Sequence, residues 1–200
     1  GTLDGESFRS FAGNAVNFCI NAGLTTMTLA TPSTAELTVN AETLFGSLME
    51  GTCLGNHIFD RYKMEKEKTP VKKVVLMATA VQKKTFSSLV KSGATVCSAS
   101  VKAREWVTTP SNDKRPEAFA DMIRNAAREV GLKTRIMDDR WLEKQQFGAM
   151  LAVGQGSSAK PRLVVMEYSP KAAKKTIVLV GKGVTFDSGG INLKPSGSIE

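Results

Sequence analysis

Two lysines and one aspartate near the end of the chain are the residues best suited to chemistry. Lys182, Asp187 and Lys194 lie among four glycines and a proline in the segment 180–195, which reads Val-Gly-Lys-Gly-Val-Thr-Phe-Asp-Ser-Gly-Gly-Ile-Asn-Leu-Lys-Pro. Glycines let the backbone approach a metal ion or a substrate closely, and a carboxylate is a natural ligand for a divalent cation. The preceding apolar run at 176–180 predicts a buried strand, so the segment should lie at the sheet edge where open α/β folds bind ligands.

The same composition also fits a plain connecting loop whose lysines are simply solvated, because glycine-rich turns often follow strands. A phosphate-binding loop is a poor match, since Gly181 and Lys182 are followed by glycine and not by serine or threonine. A dinucleotide fingerprint at 154–159 is rejected for a similar reason, because Lys160 and Pro161 follow it and a helix cannot start there. Composition alone therefore leaves the loop and the site as alternatives.

The few histidines and cysteines exclude several kinds of site. With His57 as the only histidine in the sequence, these residues cannot build a His-Glu-x-x-His zinc site, a three-histidine centre or a facial triad. We expect His57 to be a packed or half-exposed residue in a helical segment and not a catalytic base. Cys19, Cys53 and Cys97 are far apart and lie in apolar surroundings, which predicts buried, reduced thiols in a cytosolic protein.

The order of residues in 180–195 closely resembles the signature of the leucyl aminopeptidase family, the cytosolic M17 metallo-aminopeptidases. Four other segments are similar to the family: 55–63, 108–118, 147–157 and 161–168. The resemblance runs from about residue 5 to residue 200 and is most specific after residue 180. It implies a cytoplasmic enzyme that removes the amino-terminal residue, leucine and similar, from peptides, and that is a homo-hexamer at full length.

The resemblance also implies a role for each of the three residues. Lys182 matches a lysine that binds one metal of a two-metal centre, and Asp187 matches the carboxylate that bridges both metals. Lys194 matches a catalytic lysine that hydrogen-bonds the substrate carbonyl. The metals implied are two divalent ions, Zn or Mn with Mg or Co as alternatives, and a bicarbonate ion belongs to the complete site. A lysine can ligate only as the neutral amine, which a nearby dication and a dry pocket favour.

The sequence departs from the family because it ends at Glu200, before the other residues of the family's site. Those are an aspartate shortly after the catalytic lysine, an Asp-x-Glu pair and an arginine. Lys182 and Asp187 are thus part of a site, while a stably held divalent ion usually has four or more ligands. We expect an internal piece of an aminopeptidase that is inactive alone. The alternative is a non-catalytic, truncated homologue that acts in assembly or in DNA binding.

The net charge of +8 is the feature that suggests nucleic-acid binding. Lysines and arginines cluster at 61–73 and at 160–175, but acidic residues interrupt the first cluster and aromatic residues are scarce. A solvated linker face is the favoured interpretation, and DNA binding stays an open alternative. No apolar run approaches the ~20 residues that span a bilayer, so we expect no membrane partner.

Hydrophobic periodicity predicts an α/β chain in which helices and strands alternate. The predicted helices cover 5–22, a segment capped by Ser33 or Thr34 and extending with a break towards residue 62, 80–106 with a weak point at 92–93, 116–130, and a short helix within 139–146. The predicted strands cover 24–30, 71–78, 133–137, 150–153, 162–168 and 176–180. Arg115 occupies the cap position before Pro116, which should weaken that helix start by ~1 kcal/mol unless Asn112 or Asp113 substitutes.

The resemblance assigns these elements to two domains. Residues 1–79 are expected to be part of a macro-like α/β amino-terminal domain, and 80–107 a linking helix. Residues 108–200 are expected to form the first part of an α/β metallopeptidase catalytic domain, with a mixed and mostly parallel sheet.

Overall fold

A computed structural model of the chain describes residues 3–31, 39–79 and 83–186. The chain divides into two compact units, Gly1–Thr108 and Thr109–Glu200. Asp187 and Lys194, and the predicted cap at Ser33 or Thr34, lie outside the described residues. The finer division into 1–79, 80–107 and 108–200 stays a prediction.

Helices and strands alternate along both units, which confirms the α/β class. The first unit contains α1 (Gly5–Asn21), β1 (Thr26–Ala30), α2 (Ala41–Gly55), β2 (Lys73–Met77) and α3 (Lys83–Thr108). The second contains α4 (Pro116–Glu129), β3 (Lys133–Met137), α5 (Asp139–Lys144), α6 (Gly148–Gly154) and β4 (Leu163–Glu167). Within the described residues, β1 pairs with β2 in parallel and β3 pairs with β4 antiparallel.

The core of the first unit lies where α1 crosses α2. Ala12 and Val16 from α1 and Leu44 from α2 are fully buried. The helices approach closely because glycine occupies the crossing: a Cβ built on Gly51 would overlap the backbone carbonyl of Arg9. The same arginine ties the helices together at their edge, since its Nε donates to Glu50 Oε2 over 2.8 Å.

Local capping explains where these two helices begin. The Asp4 side chain accepts a hydrogen bond from the Ser7 amide over 2.9 Å, and Asn40 Oδ1 accepts one from the Thr43 amide over 2.8 Å. Each satisfies an amide that has no partner inside the first turn. Helix α2 therefore begins at Ala41, later than a cap at Ser33 or Thr34 would place it, and it ends at Gly55. Helix α3 is continuous through the predicted weak point at 92–93.

In the second unit, α4 packs against β3 and β4. Arg115 stands at the N-cap of α4 and its side chain makes no capping hydrogen bond, as the sequence predicts. The helix stops before Gly131, whose φ of +74° is the left-handed conformation that glycine adopts at helix ends. The predicted apolar stripe of α4 is only partly covered, because Val130 is exposed.

Two predicted strands are wrong. Residues 150–153 belong to helix α6, because Ala149, Met150, Leu151 and Ala152 are good helix formers and outweigh the apolar run. Residues 176–180 form no strand, and the side chains of 177–180 are 76–94% exposed. A strand needs a hydrogen-bonded neighbour, and β3 and β4 pair only with each other in the described part of the chain. None of the described helices is long and apolar enough to cross a membrane.

Candidate functional site

The segment that carries Lys182 follows β4 as an extended stretch. From 174 to 186 the chain forms neither helix nor strand. It passes close to α4, because a Cβ built on Gly183 would lie 3.8 Å from Cε1 of Phe119. Thr185 is half-buried, whereas Val184 and Phe186 are exposed. Gly183 thus passes beside the Phe119 ring of α4, while most side chains of the segment are in solvent.

Arg162 fixes the start of the strand that leads into the segment. Its Nη1 lies 3.3 Å from Asp139 Oδ1 in α5 and donates to the Pro161 carbonyl over 3.0 Å. Its Nη2 lies 3.9 Å from Glu117 Oε2 at the start of α4. One largely buried guanidinium therefore connects β4 to two helices of the second unit.

The structure describes one of the three predicted site residues. Lys182 is exposed, and Asp187 and Lys194 lie outside the described residues. Within 3–31, 39–79 and 83–186, no group of three or more His, Cys, Asp or Glu side chains could hold a metal ion. The described residues alone do not fit a two-metal centre.

The first basic cluster has local partners in the structure. Lys66 Nζ lies 3.8 Å from Asp60 Oδ1, and Lys68 Nζ donates to Asn21 Oδ1 over 3.0 Å. The Arg61 guanidinium lies over the Tyr62 ring at 5.7 Å from its centroid. These contacts hold several cations within the first unit, as a solvated linker face would, and the prediction about DNA binding stays untested.

Sequence reasoning missed a cluster of polar and sulfur-bearing residues between α2 and α3. Cys53 and Cys97, distant in sequence, lie beside each other. His57 follows α2 and is not within a helix; its side chain is 12% exposed and its Nε2 lies 3.4 Å from Glu105 Oε1. A packed His57 agrees with expectation. The proximity of the two cysteines depends on how α2 packs against α3. The one signal in the sequence is that Cys53 follows Met49, and Cys97 follows Gly93, by the same four residues.

Comparison with known proteins gives consistent similarities. The family model described as "Cytosol aminopeptidase family, catalytic domain" matches residues 101–200. A protein named probable cytosol aminopeptidase from Streptomyces avermitilis is 37% identical over 99% of this chain and 38% of its own length. Its counterpart from Corynebacterium glutamicum is 51% identical over 49% of this chain and 20% of its own length.

A solved structure, the bottromycin maturation enzyme BotP in complex with Mn, is also similar. It matches with a TM-score of 0.82 and 32% identity, covering 100% of this chain and 41% of that chain. The chain therefore spans about two fifths of the length of the relatives that match it throughout.

Proposed function

Because the chain belongs to the cytosol aminopeptidase family, we propose that it is part of a metal-dependent aminopeptidase that removes amino-terminal residues, leucine among them, from peptides. The observation that carries the proposal is the match of the catalytic-domain family model to 101–200, a range that includes Lys182, Asp187 and Lys194. Mn in the structure of BotP supports a divalent metal of this kind. Two ions, Mn or Zn, with a bicarbonate ion nearby, are our proposal for the complete site.

The three residues have distinct proposed roles. The neutral amine of Lys182 is a ligand to one metal, and the carboxylate of Asp187 is shared by both. The ammonium of Lys194 donates a hydrogen bond to the substrate carbonyl, where negative charge develops during hydrolysis. When bound, the metals polarise the carbonyl and supply the nucleophile.

The 200-residue chain is proposed to be inactive without the rest of a full-length protein. Two ligands are fewer than the four or more that usually hold a divalent ion. The cytoplasmic location and the hexameric assembly of the full-length protein are proposals that rest on the family alone.

Turnover by the full-length protein that carries this chain tests the proposal. We expect metal-dependent hydrolysis of a leucine chromogenic amide with added Mn or Zn, and none by the 200-residue chain. Lys194→Ala should lower kcat/KM by ~100-fold or more, because a donor to the developing charge is lost. Lys175→Ala removes an exposed lysine outside the proposed site and should leave the rate unchanged.

Two results would contradict the proposal in different ways. Metal-dependent turnover by the 200-residue chain, abolished by Lys194→Ala, would show that these residues suffice for catalysis. A full-length protein that binds metal but hydrolyses no amino-terminal amide would favour the non-catalytic alternative, which then predicts either a stable assembly or measurable DNA binding.

A further inference from the structure

Helices α2 and α3 pack side by side along a row of contacts in the first unit. The Phe45 ring lies against the Phe86 ring near the start of the row. Further along, Met49 lies against Gly93 so closely that a Cβ at position 93 would overlap Met49 Cε. Both residue numbers rise along the row, so the helices run in the same direction. Gly93 is what allows α3 to approach α2 this closely.

The next contact in the row is between two thiols. Cys53 and Cys97 each lie four residues, about one helical turn, beyond the contact of Met49 with Gly93. Their thiols lie close enough for Cys53 to affect the ionisation of Cys97. Beyond them, Arg104 Nη1 donates to the Leu54 carbonyl over 2.9 Å, which holds the helices together on the far side. The two thiols are therefore neighbours between α2 and α3, with the Met49–Gly93 contact on one side and the Arg104–Leu54 hydrogen bond on the other.

The two thiols differ in access. Cys53 is half-buried and lines a cavity of about 560 Å³. Cys97 is 3% exposed, and burial, with Cys53 beside it, raises the pKa of its thiol to about 11. Because the thiolate is the nucleophile in thiol–disulfide exchange, Cys53 is suited to react first and Cys97 second.

We propose that Cys53 and Cys97 form a reversible disulfide, a modification site in the first unit that small disulfides reach through this cavity. Lys66, Lys68 and Asp60 also line the cavity, which leaves one surplus positive charge that an anionic disulfide such as oxidised glutathione matches. Both cysteines are free thiols in the structure. Formation of the Cys53–Cys97 disulfide needs no large rearrangement, because the packing of α2 against α3 already places the two side chains beside each other.

The reaction is an exchange in two steps. The Cys53 thiolate attacks one sulfur of the oxidised glutathione disulfide, which breaks that bond and releases one glutathione thiolate. Cys97 then gives its proton to solvent and attacks Cys53 Sγ, which expels the second glutathione. In total, two protein thiols are oxidised to one disulfide, and one glutathione disulfide is reduced to two glutathione molecules.

Peptide mapping of the intact chain after treatment with oxidised glutathione tests the proposal. Digestion with trypsin and a glutamate-specific protease separates the three cysteines, with Cys53 in residues 51–61 and Cys97 in 92–102. We expect these two peptides to be joined, with loss of two hydrogen atoms from the chain and release of both by dithiothreitol. Cys97→Ser should instead stop at a glutathione adduct on Cys53, whereas Cys53→Ser should leave Cys97 unmodified.

Cys19→Ser is the matched control, because Cys19 is another buried thiol of the first unit and lies in α1. It should form the 53–97 link at an unchanged rate. A glutathione adduct on Cys53 that persists in the unsubstituted chain would overturn the proposal, as would a link that involves Cys19. Mapping of the unsubstituted chain decides these outcomes even where a variant fails to fold.

Discussion

The α1–α2 core and the extended segment 174–186 contain equally apolar residues in opposite surroundings. In the core, Leu44 is completely buried between two helices that glycine allows to touch. In the segment, Leu179 is 92% exposed. The sequence predicts both as buried, since apolar runs look alike whichever neighbours they have. The comparison shows that burial depends on a partner surface, and the described part of the chain provides one for Leu44 only.

The difference in burial between the core and the segment fits a chain that spans only about two fifths of the length of its relatives. The first unit builds its core from α1, α2 and the parallel pair β1–β2, all within the described residues. The segment 176–180 has the composition of a central strand and no strand beside it in the described residues. The relatives are about two and a half times as long as this chain, so they contain further residues that could pair with such a strand.

The largest expected effect comes from a substitution that disrupts the close contact between α1 and α2. Gly51→Ala should lower the free energy of unfolding by about 3 kcal/mol or more, because the new Cβ overlaps the Arg9 carbonyl and forces α1 away from α2. Gly46→Ala is the matched control in the same helix, with no described atom within 4 Å of its Cβ beyond its own helix. It should stabilise by up to about 1 kcal/mol, and chemical denaturation measures both. Equal effects would show that α1 and α2 are not in contact at position 51.

A second pair of substitutions sharpens the comparison directly. Leu44→Ala should cost about 2–5 kcal/mol in unfolding free energy, through lost burial and a residual cavity. Leu179→Ala should change it by less than about 0.5 kcal/mol in the same chain, because the side chain is already in water. Thermal or denaturant unfolding gives both values. A large loss with Leu179→Ala would mean that the segment has a partner surface after all.

The fold and the site were predictable from the sequence to different degrees. Strand β3 and the ends of α1 and α4 were predictable, because periodicity, proline at 116 and glycine at 131 act locally. The strand at 176–180 was not, since pairing depends on distant chain. The candidate site residues Lys182, Asp187 and Lys194 were predicted from the order of residues alone. The contact of Cys53 with Cys97 was beyond sequence reasoning, because it depends on the register between two helices.

A stability effect that is absent at neutral pH appears at high pH. Burial raises the pKa of Cys97 from its ordinary 9.0 to about 11, and Cys53 and Glu50 add to the rise. The folded chain therefore keeps this proton where the unfolded chain loses it. The contribution is constant below about pH 9 and lost between about 9 and 11, by at most about 3 kcal/mol.

The difference in unfolding free energy between the unsubstituted chain and Cys97→Ala isolates this effect from other groups that titrate at high pH. Under reducing conditions that difference should shrink as the pH rises from 9 to 11. A difference that stays constant across this range would contradict the raised pKa.

The metal content of the full-length protein tests the central proposal most directly. Elemental analysis after loading with Mn should find two ions per chain, fewer in Asp187→Asn because the shared carboxylate is weakened, and two in Asp121→Asn, which alters an exposed aspartate of α4. Lys194→Ala should keep both ions while it loses turnover. Full metal content in Asp187→Asn, with an unchanged rate, would contradict the assignment of this segment to the metal centre.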